Sequence, residues 1–283
     1  MSLATWRTRA LAWWTRFEHW LRTSDSFTVR QPARRVFFPG CSLSGADPAL
    51  VARVVDHLRE QDPEVGLWSE CCGSPLVQLG GVKESAPHQQ ALARRLSRAG
   101  VQEVITACGN CTVSLEQLRS EVPGLEVASL YDVLAREPPS GLAMKEALAV
   151  HHPCPARTHP AQRQAFFALA DRVGLQISNR HRAGHALPCC LKRGPSAQKR
   201  RLAMADQEVV TYCAHCTMSF QRDVPTRHVL QLVFGPDSRW HKKGKLGLFE
   251  SYLELKSTAS TRLWQRSPKR LTAPRPDCTQ SDP

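Results

Sequence analysis

A chain of 283 residues, 42% of them hydrophobic, is long enough for two modest domains that each bury a core. No run of about 18 apolar residues is present to span a bilayer, and the N-terminus shows no apolar segment and cleavage site of a secretory signal. The formal charge of +13 sits at the ends: residues 1–35 and 236–283 carry +5 each, and the 200 residues between carry +3. That distribution argues against a folded nucleic-acid-binding surface and suits an acidic lipid or an acidic partner.

Residues 2–22 read as one amphipathic helix. Trp6, Ala10, Trp13, Trp14, Phe17, Trp20 and Leu21 recur at helical spacing, with Arg7, Arg9, Arg16 and Arg22 off that face. Four tryptophans in a short basic helix suit a membrane interface; packing on the protein's own body or on a partner protein is the competing reading. Ser24 to Pro32 reads as a linker, which puts the helix and linker at 1–35.

Val36-Phe37-Phe38 predicts a short buried strand ending at Pro39-Gly40-Cys41. Asp47-Pro48 starts a helix, Asp as N-cap and Pro in the first turn, with Leu50, Val51, Val54, Val55 and Leu58 on one face. A strand near 65–68 leads to Cys71-Cys72-Gly73-Ser74-Pro75. A helix over about 84–98 ends at Gly100, and Glu103 to Thr106 forms a strand delivering Cys108-Gly109-Asn110-Cys111. The run Glu137-Pro138-Pro139-Ser140-Gly141 breaks the pattern. A strand over 147–150 then runs into His151-His152-Pro153-Cys154, followed by a helix over about 160–173. Leu187-Pro188 introduces Cys189-Cys190, and Val209 to Tyr212 delivers Cys213-Ala214-His215-Cys216. Segments 129–134 and 227–232 correspond after the two cysteine sets.

Strand, cysteine loop, helix, repeated, predicts an α/β protein of two related halves with mainly parallel sheets, at 36–137 and 142–235, followed by a basic tail at 236–283. Ligands in such units gather beyond the carboxyl ends of the strands, where the thiols fall.

Ten of the eleven cysteines sort into two sets of identical order: Cys41, Cys71, Cys72, Cys108, Cys111 and Cys154, Cys189, Cys190, Cys213, Cys216. Only Cys278 is left over. In a chain without a secretory signal, clustered thiols point to metal rather than disulfides. A structural zinc site takes four ligands, commonly as two Cys-x-x-Cys pairs, whereas each set here offers five thiols and one such pair. Adjacent cysteines on an extended segment point to opposite sides, which favours a polynuclear iron–sulfur centre over a single ion. His151, His152 and His215 stand close enough in sequence to tune a cluster through hydrogen bonds to sulfur, although such residues more often serve local packing.

At these residues the sequence resembles the cysteine-rich CCG-domain family, which includes the cysteine-rich component of heterodisulfide reductase and iron–sulfur components of lactate-utilisation and anaerobic glycerol-3-phosphate dehydrogenase systems. The resemblance runs from about Val36 to Gly235. It rests on Phe38-Pro39-Gly40-Cys41, Cys71-Cys72-Gly73-Ser74-Pro75 and His151-His152-Pro153-Cys154. It implies a cytoplasmic iron–sulfur redox subunit in which each set of five cysteines ligates one centre, of the noncubane 4Fe-4S type. A redox partner, a flavoprotein or another iron–sulfur protein, would supply the electrons, and a disulfide or another acceptor would receive them. The second half departs from the pattern. Cys189-Cys190 is followed by Leu191-Lys192-Arg193-Gly194, and 22 residues separate it from Cys213, against 35 between Cys72 and Cys108. The shorter gap predicts a more open second site, and Lys192 and Arg193 place positive charge beside it.

No Gly-rich nucleotide loop, Ser-His-Asp arrangement or carboxylate pair stands out, so no catalytic residue is assigned and the electrons must come from another chain. The alternative is a non-enzymatic zinc- or iron-bound module that presents a basic surface to a partner.

Overall fold

The computed structural model describes residues 24, 28–78, 82–180, 189–190 and 194–235. The helix expected over 2–22, the tail from 236, and Lys192 and Arg193 lie outside the described residues.

The order of elements is an α/β alternation carried through twice. Strand β1 is Val29–Arg30 and β2 is Arg35–Phe38, followed by helices α1 (Cys41–Ala46) and α2 (Pro48–Gln61). Strand β3 (Gly66–Ser69) leads to α3 (Ser74–Gln78) and α4 (Val82–Arg98). Then come β4 (Glu103–Thr106), α5 (Gly109–Gln117), β5 (Glu126–Ser129) and α6 (Leu130–Arg136). The second round is β6 (Ala147–His151), α7 (Pro160–Arg172), β7 (Gln176–Ile177), α8 (Pro195–Leu202), β8 (Val209–Thr211), α9 (Ala214–Phe220), β9 (Thr226–His228) and α10 (Val229–Phe234).

The first sheet has the order β1-β3-β2-β4-β5 and the second β7-β6-β8-β9. Setting β1 aside, each half places its first strand centrally, its second on one side and its third and fourth on the other. All these pairings are parallel; only β1 runs antiparallel, Val29 opposite Ser69 and Arg30 opposite Trp68. Parallel strands covered on both faces are apolar throughout, which is why Val36, Phe37 and Phe38 are all fully buried.

Local chemistry sets the helix starts. The Asp47 carboxylate accepts the Leu50 amide at 2.8 Å and Pro48 opens the helix, as the sequence predicts. Ser129 caps α6 in the same way through the Tyr131 amide, and His228 caps α10 in a capping box with Gln231.

The segment expected to be a linker holds an edge strand. The Gln31 side chain closes that edge, its Oε1 accepting from the Leu67 amide at 2.9 Å and from the Arg59 guanidinium at 3.0 Å. Two residues of strand are too short to show any periodicity in sequence.

The largest apolar cluster draws on both halves: Leu50, Val54 and Leu134 from the first, Phe166, Leu169 and Tyr212 from the second. Helix α6 packs along α7 at its centre. Each half also keeps a private cluster, around Phe38, Leu92 and Val104 and around Val209, Phe220 and Val224. Gln162 on α7 seals the junction by donating to the Gly109 carbonyl at 3.1 Å. A Cβ at Gly109 would lie 2.3 Å from the Gln162 Oε1 atom, so any larger residue would displace the tip of that side chain.

Burial holds His228 far below its ordinary range, at about 3. Its folded form stays neutral while the unfolded chain takes up a proton below about pH 6.5, so stability is full above that value and falls as the pH drops toward 3. The slope from this residue alone reaches about 1.4 kcal/mol per pH unit. Urea unfolding midpoints measured from pH 8 to pH 4 are expected to fall below pH 6.5, and to fall less steeply in His228→Asn.

Candidate metal centre

The parallel order puts the ends of β2, β3 and β4 side by side, and the first five cysteines follow those ends. Cys41 opens α1 directly after β2, Cys71 and Cys72 follow β3, and Cys108 caps α5 directly after β4 with Cys111 in the first turn. Cys41 packs against Cys71. The Cys111 thiol is hydrogen-bonded to those of Cys72 and Cys108, and Cys108 in turn feels the charge of Cys41. All five are thus drawn together, and all but Cys108 are buried.

Two glycines make this approach possible. Gly40 has φ 80°, and a Cβ there would stand 3.1 Å from both the Cys111 sulfur and the Cys108 Cβ. Gly73, after the double cysteine, has φ 83°, and a Cβ there would stand 2.8 Å from the His88 ring. His88 Nε2–H donates to the Cys71 carbonyl at 2.7 Å. The glycine therefore makes room for a histidine that holds the Cys-Cys backbone.

Beside the pair lies Glu70, its side chain fully enclosed. It takes hydrogen bonds from Arg30 at 2.9 Å, from the Trp68 indole at 3.1 Å and from Arg95. Charge balance and full pairing are what permit a buried carboxylate there.

The second set repeats the plan. Cys154 follows β6, and Cys213 caps α9 directly after β8 with Cys216 in the first turn. The sulfurs of Cys154 and Cys189 are 3.4 Å apart. Cys190 is hydrogen-bonded to Cys189 and Cys216, and Cys216 to Cys213. Thr112 and Thr217 occupy the same place in the two loops, each bonding back to the carbonyl of the capping cysteine at 3.2 Å.

The two sites differ as the unequal gaps predict. Helix α4 has 17 residues over the first site and α8 has 8 over the second, where Cys154, Cys189 and Cys190 are all partly exposed. Two positive charges reach the second site among the described residues: Arg157, which acts on Cys154, and, on Cys190, Arg201. Its guanidinium bonds the Cys190 carbonyl at 3.4 Å, stacks 5.0 Å over Phe220 and pairs with Asp223. Ser219 supplies a further bond to that carbonyl at 3.1 Å.

These contacts separate the thiols. Hydrogen bonds from Cys111 hold the Cys108 thiol below its ordinary value, and Cys111 itself lies well above. In the second set Cys190 drops to about 7, chiefly through its bond with Cys216, helped by Cys189 and by the charge of Arg201. Burial first, then Cys189, lift Cys154 to about 12. A lowered thiol thus lies on the Cys-x-x-Cys loop in one half, Cys108, and on the Cys-Cys pair in the other, Cys190.

Of the histidines beside the cysteines, His151 and His152 are buried among aromatic rings, whereas His215 faces outward. His151 meets the Phe220 ring edge-on at 4.7 Å, His152 Nδ1 lies 2.9 Å from the Tyr212 hydroxyl, and His215 is exposed. Glu70 and Arg201 carry no motif of their own. The one sequence signal for Glu70 is a charged residue ending an otherwise apolar strand immediately before Cys71.

Among the described residues, no three Cys, His, Asp or Glu side chains converge as ligands of a single metal ion. Five thiols linked by pairwise contacts, without a carboxylate among them, match the soft-donor chemistry of a group wider than one ion.

Residues 35–116 match the model of the CCG cysteine-rich domain, which spans the first set of five. That segment, under a third of the chain, is similar to the CCG-type cysteine-rich domain, and its clustered thiols are consistent with iron–sulfur or other metal binding. No curated protein matches the chain. Solved structures similar to it include an aspartate racemase homologue from Pyrococcus horikoshii OT3, with 13% identity over 78% of this chain and 99% of that one and a TM-score of 0.31. A putative Asp/Glu racemase from Yersinia pestis shows 11% identity over 78% and 98%, with a TM-score of 0.35. Glutamate racemase RacE1 from Bacillus anthracis shows 11% identity over 81% of each chain, with a TM-score of 0.31. Likenesses this loose assign neither substrate nor reaction.

Alkylation of reduced, metal-free protein, mapped by peptide mass, is expected to label Cys190 with a midpoint near pH 7, ahead of Cys154, and Arg201→Ala should move that midpoint up. Gly73→Ala is expected to cost about 1–3 kcal/mol of stability and to loosen Cys71 and Cys72, read as faster alkylation of both.

Proposed function

We propose that the chain is an iron–sulfur redox protein that takes electrons from a partner protein and delivers them to a disulfide or another acceptor. The observation that carries this reading is that two sets of five thiols, each drawn together at strand ends, are built by the same plan on two sheets. Cys41, Cys71, Cys72, Cys108 and Cys111 would hold one centre, and Cys154, Cys189, Cys190, Cys213 and Cys216 the other. When bound, such a centre supplies one-electron chemistry.

What the protein's own residues do follows from their placement. Helix α5 starts at Cys108, and its first-turn amides of Asn110 and Cys111 favour thiolate there, after the larger effect of the Cys111 thiol. Arg201 adds a cation to the second site. Its partly exposed Cys154, Cys189 and Cys190 leave that site open to an acceptor, while the buried first site suits storage or relay. No helix of the described residues is long and apolar enough to cross a membrane. Residues 2–22, with four tryptophans and flanking arginines, would supply contact with a membrane surface or a partner protein.

Protein isolated without air is expected to be brown, to contain iron and acid-labile sulfide, and to lose visible absorption in Cys72→Ser and Cys190→Ser. Stoichiometric zinc without sulfide would instead establish the non-enzymatic metal module. Deleting residues 2–22 should leave iron content unchanged and abolish pelleting with anionic vesicles or with the membrane fraction; unfolding of the truncated chain would show that the segment is core.

A further inference from the structure

The Tyr131 hydroxyl lies between the two cysteine sets. It stands 2.7 Å from the Ala107 carbonyl and 3.0 Å from the Tyr212 carbonyl. Ala107 and Tyr212 are the last residues before Cys108 and Cys213, the two cysteines that cap α5 and α9. The peptide groups that accept these bonds therefore carry the amides of Cys108 and Cys213 themselves. Tyr131 is 4% exposed, and its ring meets the Tyr212 ring edge-on at 5.6 Å. A single buried proton donor thus serves the entry to both Cys-x-x-Cys loops.

The arrangement is not a by-product of the internal repeat. Tyr131 stands two residues beyond the Ser129 cap, and the residue two beyond the equivalent His228 cap is Leu230, which has no polar group to return the contact. One tyrosine does for both sites what a symmetric molecule would do with two. The second site has a further hydroxyl of its own: Tyr212 OH lies 2.9 Å from His152 Nδ1, two residues before Cys154.

We propose that Tyr131 is a positioning residue shared by both cysteine sets, fixing through one hydroxyl the strand ends that present Cys108 and Cys213 and thereby building and tuning the two centres together. Donation to a carbonyl polarises its peptide and strengthens the attached amide as a donor. The Cys108 amide itself donates to the Thr106 hydroxyl at 3.3 Å, and the amides that act on the Cys108 sulfur are those of Asn110 and Cys111. Holding that turn in place keeps such donors on the sulfur and favours the more negative, reduced state of a bound centre. The positioning does not depend on which metal is bound. The tuning rests on the iron–sulfur reading.

The test is amide hydrogen exchange on the full chain as isolated, comparing wild type, Tyr131→Phe and Tyr212→Phe. The hydroxyl's single proton is shared between the two carbonyls, so in Tyr131→Phe exchange should rise about two- to fivefold, a share of the worth of one hydrogen bond, over residues 107–112 and over 212–217 alike, relative to amides of α2. Tyr212→Phe, which keeps both backbone carbonyls, should leave 107–112 unchanged. A rise in one loop alone, no rise, or an equal rise throughout the chain overturns the proposal. Should Tyr131→Phe fail to fold, 3-fluorotyrosine incorporated at the chain's three tyrosines supplies the opposite change. Its more acidic hydroxyl is a stronger donor, so protection should increase at both loops, and an increase confined to 212–217 overturns the proposal equally. In iron-loaded protein, Tyr131→Phe should lower both midpoint potentials with iron content unchanged; loaded centres whose potentials stay put refute the tuning. Protein that never holds iron removes the proposed function and leaves the exchange result standing.

Discussion

Everything in this molecule depends on strands that run the same way. When β2, β3 and β4 pair in parallel, their carboxyl ends form one edge, and residues remote in sequence emerge within reach of one another. Cys41, Cys71 and Cys108 need no long loops to meet, because each is at most three residues beyond its own strand. Helices that begin at those ends then turn their first amides toward the same place. An antiparallel arrangement would scatter the thiols over two edges.

Most of this is legible in the cysteine order alone. Two sets of five in the same sequence order are hard to reconcile with anything but two related units, and buried apolar runs such as Val36-Phe37-Phe38 mark the strands that carry them. Other parts are invisible in the sequence for identifiable reasons. Strand β1 is two residues long and is held by a glutamine side chain, which leaves no pattern. Glu70, Arg30 and Arg95 come from three segments and form a unit only after folding. Arg201 brings positive charge to the second site through a cation–π contact with Phe220 and an ion pair with Asp223, neither of which has a spacing rule. Tyr131 lies in a helix that reads as ordinary packing, and its hydroxyl matters only because two strand ends approach it from different halves.

The two halves share a plan without sharing detail. The same strand order, the same capping cysteine and the same threonine four residues later recur. Yet the first Cys-Cys is closed by Gly73, His88 and a long helix, while the second is backed by Arg201 and Ser219 under a short one. Such a pair is what a duplication becomes when one copy keeps its ligands covered and the other is left with access. The separate ionisation order of the thiols, Cys108 lowered in one and Cys190 in the other, is the chemical trace of that divergence.

The core that spans both halves also bears on how the molecule is made. Synthesis delivers the first half's share of this cluster, Leu134 on α6 among it, before α7 with Phe166 and Leu169 exists to pack on it. Until α7 emerges from the ribosome that face stays exposed, and the contacts that close it are long-range and slow to form. The Tyr131 hydroxyl has only one of its two carbonyls during that interval. Any prosthetic group delivered early would therefore meet a nascent chain whose first cysteine pocket is assembled but not yet locked, so maturation and translation are bound to a common clock.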